Sequence, residues 1–263
     1  MSYTTYTKES KQVTQVGITE RGDAALSEDW VDWVYKKNKP AILITKNVML
    51  LQEKHPDIFF KNVVIHVTCT GLGGTILEPN VPSYKDILNW LKSKPEAIRQ
   101  RLVLRVDPIC PSLFYCPNDT FNGEEYYNAV QVILLTANEL KLRCRVSFLD
   151  MYKHVAERFR KLNISVGQLY SNDDIHLPLS FREKNLNFFK ENFAQDIELE
   201  VCGEPGMKCT GCVSQKDLDI LQIQGDFKDL QGQRPACNCL AAKRELLNAK
   251  SQCEHKCVYC YWT

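Results

Sequence analysis

Six short, β-branched apolar segments alternate with helical patterns along the first 201 residues, and this alternation limits the fold more than any other feature. The predicted strands are Val13–Ile18, Ala41–Thr45, Val63–Thr68, Leu102–Val106, Cys144–Phe148 and Ile197–Val201. Repeated strand–helix units require parallel strands joined by right-handed crossovers. The sequence therefore predicts an α/β fold, either a doubly wound sheet or a full or partial (β/α) barrel.

Capping signals mark the helices that separate these strands. Ser27 is expected to cap a helix over EDWVDWVYKK, and Ser83 is expected to open a helix over YKDILNWLKS. Ser180 and Glu183 are typical of a capping box before a Leu- and Phe-rich helix, and residues 124–140 carry a long amphipathic stripe. Strands and helices thus follow one another in a regular order.

Polar or charged residues follow most of the predicted strands. The carboxyl ends of parallel strands meet at one edge of the sheet, where α/β proteins build their sites. Any one of these residues is also typical of a loop or a helix cap, but their recurrence over six strands favours a site. The candidates are Glu20, Arg21, Lys46, Asn47, Thr70, Arg105, Asp107, Ser147, Asp150 and Glu204.

The cysteines are unevenly distributed, since residues 202–263 hold eight of the 12. The formal charge of +1 excludes a broadly basic surface for nucleic acid. The sequence shows neither a secretory signal nor a membrane-spanning stretch, so we expect a cytoplasmic protein without a membrane partner. In a reducing compartment, clustered cysteines are more often metal ligands or redox centres than a disulfide framework. The other four, which we expect to be packed free thiols, are Cys69, Cys110, Cys116 and Cys144.

Cys253, Cys257 and Cys260 form a C-x3-C-x2-C motif, with Tyr259 just before the third cysteine. Three thiolates bind three irons of a [4Fe–4S] cube, and one iron then keeps an open position. An open position distinguishes a catalytic metal site from a structural one. The alternative is a structural zinc site with His255 or a remote cysteine as fourth ligand, although this spacing fits zinc poorly.

The motif resembles the signature of the radical S-adenosylmethionine (SAM) superfamily. One uncharacterised branch of it, catalogued as a domain of unknown function, carries the cysteines at the C-terminus, and the chain is similar to that branch over nearly its whole length. The matching segments are residues 18–23, 44–47, 70–71, 78–82, 105–108, 147–152, 202–204, 208–209, 237–239 and the terminal motif. Glu20 and Gly22 depart from the family pattern in the first segment.

The resemblance implies a partial (β/α)6 TIM-type barrel over residues 1–201, with a Cys-rich region over residues 202–263 packed on its rim. It also implies an enzyme in which Cys253, Cys257 and Cys260 hold a [4Fe–4S] cluster that binds SAM. Reductive cleavage of SAM would give a 5′-deoxyadenosyl radical that abstracts hydrogen from a substrate. A one-electron donor of flavodoxin or ferredoxin type would be a partner.

The resemblance also assigns residues to the cofactor. Tyr259 is expected near the adenine, and the residues expected to hold the methionyl and ribose parts, by position only, are Thr70, Arg105, Asp107 and Ser147. The candidates for catalytic roles at the same edge are Glu20, Arg21, Lys46, Asn47, Asp150 and Glu204.

Five further cysteines indicate a second site. Their spacing pairs C-x2-C at 209–212 with C-x-C at 237–239, which makes a four-thiolate set for an auxiliary iron–sulfur cluster or zinc. The resemblance instead stresses a set that leaves Cys212 as an alternate, namely Cys202, Cys209, Cys237 and Cys239. An auxiliary cluster is favoured over zinc.

The sequence leaves the substrate open. Basic stretches on predicted helices make a modified nucleotide or other nucleic acid a minority candidate, beside a peptide or a small metabolite. The second class of function is a non-catalytic zinc or iron–sulfur protein.

Overall fold

A seven-stranded parallel sheet forms the centre of the fold. The structure is a computed structural model that describes residues 15–114, 117–118, 121–165, 169–170, 174–223, 238–240, 243–248 and 253–261. The strands of the sheet are β1 (Val16–Ile18), β2 (Ala41–Thr45), β3 (Val63–Thr68), β4 (Leu102–Ile109), β7 (Arg143–Phe148), β8 (Leu199–Val201) and β9 (Lys243–Glu245). A short antiparallel pair, β5 (Pro117–Asn118) and β6 (Phe121–Asn122), lies apart from it.

The strands lie in the order β8-β7-β4-β3-β2-β1-β9. The first six strands of the sheet are therefore neighbours in chain order, and β9 is added beside β1. The sheet is open, with β8 and β9 at its edges, so the α/β class is confirmed without a closed barrel. All carboxyl ends lie at one edge because every pairing is parallel.

Seven α-helices are described. They are α1 (Val48–Lys54), α2 (Tyr84–Lys92), α3 (Glu96–Arg99), α4 (Gly123–Glu139), α5 (Lys153–Lys161), α6 (Leu179–Phe193) and α7 (Gln215–Ile220). Short turns of 3₁₀-helix cover Ala24–Leu26, Ile58–Phe60 and Pro111–Leu113, and a π-helix covers Asp32–Lys36.

The two faces of the sheet have different partners because side chains alternate along a strand. Ala41 and Leu43 of β2 belong to the large core with residues of α1, α2 and α4. Ile42 on the opposite face packs in a smaller cluster with Val213 and Leu218, next to and within α7. The Cys-rich part of the chain thus packs on the face of the sheet opposite to helices α1, α2 and α4.

On β7 and β8 this second face is charged. Arg143 Nη1 donates to Asp217 Oδ1 at 2.7 Å, and Arg145 Nε donates to Glu200 Oε2 at 3.1 Å. Buried ions are tolerated when each is paired and hydrogen-bonded. His66 on β3 lies beside this network, and burial lowers the pKa of its imidazole to about 4.

The sequence analysis placed the strands well and the helix starts less well. All six predicted strands are present, although β1 begins at Val16 and the predicted residues 13–14 lie outside the described ranges. Ser83 caps α2 by accepting from Asp86 N, as predicted. The predicted caps at Ser27 and Ser180 are wrong.

Local geometry explains both errors. Ser27 Oγ accepts from Asp29 N in a tight turn, and the following helix begins only at Asp32. Helix α6 begins at Leu179 after Pro178, so Ser180 is already inside its first turn. Pro178 is the N-cap, and proline is tolerated at a helix start because the N–H group that it lacks would have no partner within the helix.

Strand β9 was not predicted, and it pairs in parallel with β1. Its residues, Lys243–Glu245, are polar and half exposed, so the period of apolar residues that marks an inner strand is missing. Through β9 and α7 the region 202–263 joins the same sheet and core, while the proposed domain boundary stays a prediction. Within the described ranges, no helix has the length and apolar character needed to cross a membrane.

Candidate functional site

A cavity of about 470 Å³ lies at the carboxyl edge of the sheet. This size is typical of a small-molecule site. Many of the residues singled out from the sequence line it, and these are Glu20, Arg21, Lys46, Arg105, Asp107, Ser147, Asp150, Glu204, Tyr259, Cys202, Cys212, Cys253, Cys257 and Cys260. The structure therefore brings the strand ends and the terminal motif to one place.

Two residues predicted to belong to the site, Asn47 and Thr70, do not line the cavity. Asn47 caps α1, where its side chain accepts from Leu50 N at 3.1 Å. Thr70 is buried, and its hydroxyl donates to Glu78 Oε2 at 2.8 Å. Both have structural partners, and Glu78 in turn accepts from Lys46 and Tyr259, which line the cavity.

None of the three terminal cysteines, all of which the structure describes, is in a disulfide, and all three line the cavity. Burial raises the pKa of Cys253, and burial raises the pKa of Cys257 to about 12 against the opposing effect of the Lys46 ammonium. The negative charges of the Cys260 and Cys253 thiolates also raise the pKa of Cys257. The three thiols of the motif thus lie at one cavity, and the Lys46 ammonium is close enough to act on Cys257.

A buried hydrogen-bond network holds the loop between the first two cysteines against the sheet. His255 Nε2 lies 2.8 Å from Asp23 Oδ2, and His255 Nδ1 lies 3.0 Å from Asn80 O. Asp23 also accepts from Thr45 Oγ1 at 2.6 Å and from Lys46 N at 2.6 Å.

The two ionisable partners shift each other. Burial is the largest single influence on Asp23 and disfavours its carboxylate, but the hydrogen bond and charge of His255, together with hydrogen bonds from Lys46 N and Thr45, lower the pKa of Asp23. Burial likewise disfavours the imidazolium, yet the same hydrogen bond raises the pKa of His255. The pair is thus an ion pair that fixes the cysteine loop to the end of β1 and β2.

Tyr259 is fixed by a second buried ion pair. Lys46 Nζ donates to Glu78 Oε1 at 2.6 Å and to the Tyr259 hydroxyl oxygen at 2.7 Å, and the Tyr259 hydroxyl donates to Glu78. Burial opposes the charge on Lys46, but Glu78 raises its pKa. The Tyr259 ring is therefore held at the cavity wall by its polar end.

Arg105, Asp107 and Ser147 form a polar cluster at the ends of β4 and β7. The Arg105 guanidinium and the Ser147 hydroxyl both donate to the Asp107 carboxylate. Arg105 and Ser147 are buried, whereas Asp107 faces the cavity and is partly exposed. This cluster presents a carboxylate of fixed orientation to a ligand.

The remaining acidic residues of the rim are paired as well. Glu204 accepts from Phe148 N at 2.7 Å and from Arg182 Nη1 at 2.8 Å, while burial raises its pKa. Asp150 Oδ1 lies 2.7 Å from His176 Nδ1. Glu204 thus serves mainly to join β7 to α6.

Glu20 is held at the other side of the cavity. Its Oε2 accepts from Lys243 Nζ at 2.9 Å, and Glu245 Oε2 accepts from Glu20 N at 3.0 Å. Both partners lie in β9, so the added strand fixes the loop after β1.

The predicted four-cysteine second site is not assembled by the described residues. Cys202 Sγ lies 3.3 Å from Cys212 Sγ, and Cys212 also bonds Cys239. Cys209 instead bonds the backbone of Glu204, at 3.2 Å from both its N and its O. Cys237 lies outside the described residues, so the predicted set stays a prediction.

The sequence analysis did not assign Asp23, Glu78, Lys243 or Glu245 to the site, and it considered His255 only as a zinc ligand. Asp23 and Glu78 stand in loops that follow strands, which was the available signal. Lys243 and Glu245 carried no signal, because a polar edge strand looks like a loop in sequence. Within the described ranges, no three Cys, His, Asp or Glu side chains are grouped as ligands of a single metal ion.

Comparison with known proteins gives a family and nothing more specific. A family described as a domain of unknown function, DUF1848, matches residues 25–262. Neither the curated proteins nor the solved structures contain a match to the chain.

Proposed function

The chain belongs to the DUF1848 family, and from that premise we propose that it is a radical SAM enzyme whose [4Fe–4S] cluster is held by Cys253, Cys257 and Cys260. The observation that carries the proposal is the meeting of these three thiols with the strand ends around one cavity. We also propose that the sheet is a partial barrel of six strands, since β1, β2, β3, β4, β7 and β8 follow chain order without reversal.

The residues present fit an iron–sulfur cube. The three cysteines are unlinked by disulfides and influence one another electrostatically. A cube offers a separate iron to each thiolate, so its ligands do not converge on one point as those of a single ion do. The bound cluster would supply one electron and an open iron for SAM.

The chain's own residues would orient SAM. The ring of Tyr259, held by Glu78 and Lys46, offers a fixed flat surface for a purine base. The Asp107 carboxylate, oriented by Arg105 and Ser147, offers acceptor oxygens for ribose hydroxyls. The cavity walls would limit water around the reacting atoms, which confines a reactive species to one target.

The experiment is anaerobic reconstitution with iron and sulfide, followed by SAM and a strong reductant. We expect formation of 5′-deoxyadenosine, with about four irons per chain for the SAM-binding cube alone and about eight when the predicted auxiliary cluster is also bound. Cys253→Ala, Cys257→Ala and Cys260→Ala are each expected to abolish the product. Cys144→Ala is the matched control, because Cys144 is buried in the helix-facing core and does not line the cavity.

Two results would contradict the proposal. One is product formation that survives loss of any of the three terminal cysteines. The other is stoichiometric zinc with no SAM cleavage, which would establish the non-catalytic alternative. The electron donor we propose is a small flavodoxin or ferredoxin, and its test is replacement of the chemical reductant by such a protein.

A further inference from the structure

Two cysteines outside the terminal motif are in direct contact at the cavity wall. Cys202 follows β8 directly, and Cys212 lies two residues before Ser214, the N-cap of α7. Their Sγ atoms are 3.3 Å apart, and both residues line the cavity. Both are free thiols. Nothing in the proposed SAM chemistry uses them.

The contact is arranged for bond formation between the two sulfur atoms. A disulfide has an S–S distance of about 2.05 Å, so only a small approach is needed. The connecting loop contains Gly203 and Gly206, both with positive φ, where the backbone is least restricted by side chains. The loop between β8 and α7 therefore contains points at which it can adjust.

The neighbouring thiol at 209 is not equivalent. Cys209 Sγ is bonded to the backbone N and O of Glu204 and does not line the cavity. Cys212 bonds Cys239 in addition to Cys202, yet these residues do not form a single-ion ligand group in the described part of the chain. Cys212 thus has two thiol neighbours, of which Cys202 lies with it on the cavity wall.

Cationic groups surround this pair. Arg145 Nη1 donates to Cys212 O at 3.2 Å, and the guanidinium groups of Arg105 and Arg145 act on both sulfur atoms. Lys243 lies beside Glu20, whose Oε1 is 3.7 Å from Cys212 Sγ. The hydrogen bond between the two sulfur atoms, together with burial, raises the pKa of Cys202, whereas the same hydrogen bond lowers the pKa of Cys212. The thiolate, which is the form that attacks a disulfide, is therefore favoured on Cys212.

We propose that Cys202 and Cys212 form a redox-active dithiol that exchanges with low-molecular-weight disulfides entering the cavity. Cys212 attacks one sulfur of the disulfide RSSR in the cavity and releases one RS⁻. Cys202, the more exposed of the two, then attacks Cys212 Sγ and releases the second RS⁻. Two protein thiols are oxidised to one disulfide, RSSR is reduced to two RSH, and the protons of the protein thiols pass to the released thiols.

The test uses the full chain, anaerobically, in glutathione buffers of increasing oxidised fraction. The reaction is quenched with an alkylating agent and digested with trypsin. Cleavage after Lys190, Lys208 and Lys216 separates peptide 191–208, which holds Cys202, from peptide 209–216, which holds Cys209 and Cys212. We expect these two peptides to be joined, with a loss of about 2 Da, and to separate again on treatment with dithiothreitol.

Fragmentation of the joined peptides and three variants identify the bond. Cys202→Ser and Cys212→Ser are each expected to abolish the link and to leave a glutathione adduct on the remaining thiol. Cys209→Ser, which removes the neighbouring thiol in the same peptide, is expected to keep the link. The wild-type measurement does not depend on the folding of any variant.

Three results would overturn the proposal. They are the absence of the 202–212 link in excess oxidised glutathione, a link from Cys212 to Cys239 instead, and protection of Cys202 and Cys212 by a stoichiometric metal that Cys212→Ser releases. None of these results bears on SAM cleavage by the terminal cluster, so the two proposals fail separately.

Discussion

His255 provides the sharpest test of how the terminal motif is held to the sheet. Its imidazole is 3% exposed and is paired with Asp23, which is 6% exposed. His255→Leu removes one partner and leaves the Asp23 carboxylate buried with its charge uncompensated. Breaking a buried ion pair in this way costs roughly 3–5 kcal/mol.

The expected change in melting temperature follows from the size of the chain. Unfolding entropy of about 2.1 cal/mol/K per residue gives about 0.55 kcal/mol/K for 263 residues. His255→Leu should therefore lower the Tm by about 5–9 °C. The assay is thermal unfolding followed by circular dichroism, with iron content after reconstitution as a second readout, which should fall.

A control and a double-mutant cycle separate the pair from general effects. His154→Leu changes an exposed histidine on α5 and should shift the Tm by less than about 1 °C. Asp23→Asn combined with His255→Leu should cost less than the sum of the single changes, by about 1.5–3 kcal/mol. A cost for His255→Leu below about 1 kcal/mol, or full additivity, would refute the ion pair as the anchor of the loop.

Three further predictions concern the body of the fold. The pKa of His66 is about 4 in the folded protein against 6.5 in the unfolded chain, so the unfolded state binds more protons between these two pH values. The free energy of unfolding should therefore fall by about 3 kcal/mol from pH 6.5 to pH 4. Urea titrations across this range measure the pH dependence, and His66→Gln should flatten it. A Cβ at Gly211 would lie 2.3 Å from Cys239 N, so Gly211→Ala should displace that segment and raise the alkylation rate of Cys239, and an unchanged rate would contradict the packing. Phe159→Ala empties a fully buried site in the helix-facing core and should cost roughly 3–5 kcal/mol in chemical denaturation, with a value under about 1 kcal/mol ruling out the tight core.

The fold was predictable where the signal was local. Continuous apolar runs such as Ala41–Thr45 and Val63–Thr68 mark strands buried on both faces, and both strands have the predicted bounds. The cap at Ser83 followed from its own side chain. By contrast, β9 depends on pairing with β1 at a sheet edge, so its residues carry no periodic pattern of their own.

The sequence indicated which residues belong to the site better than it indicated which of them pair with one another. Parallel topology alone indicated that the strand ends would meet, and Lys46, Arg105 and Asp107 do line one cavity. Thr70 does not line the cavity, and its hydroxyl instead donates a hydrogen bond to Glu78. Among the second group of cysteines, spacing included both 209 and 212 and the family resemblance favoured 209, whereas the contact with Cys202 is made by Cys212.

The sequence by itself determined the α/β class, the strand positions and the C-x3-C-x2-C motif, because each depends on residues close together along the chain. Only the tertiary structure decided which charged groups pair and which cysteines touch. Asp23 and His255 are separated by 232 positions, and no local pattern indicates that they share a hydrogen bond. The packing of the whole sheet determines such partners, because it buries both groups away from water and a buried charge is stable only when it is paired.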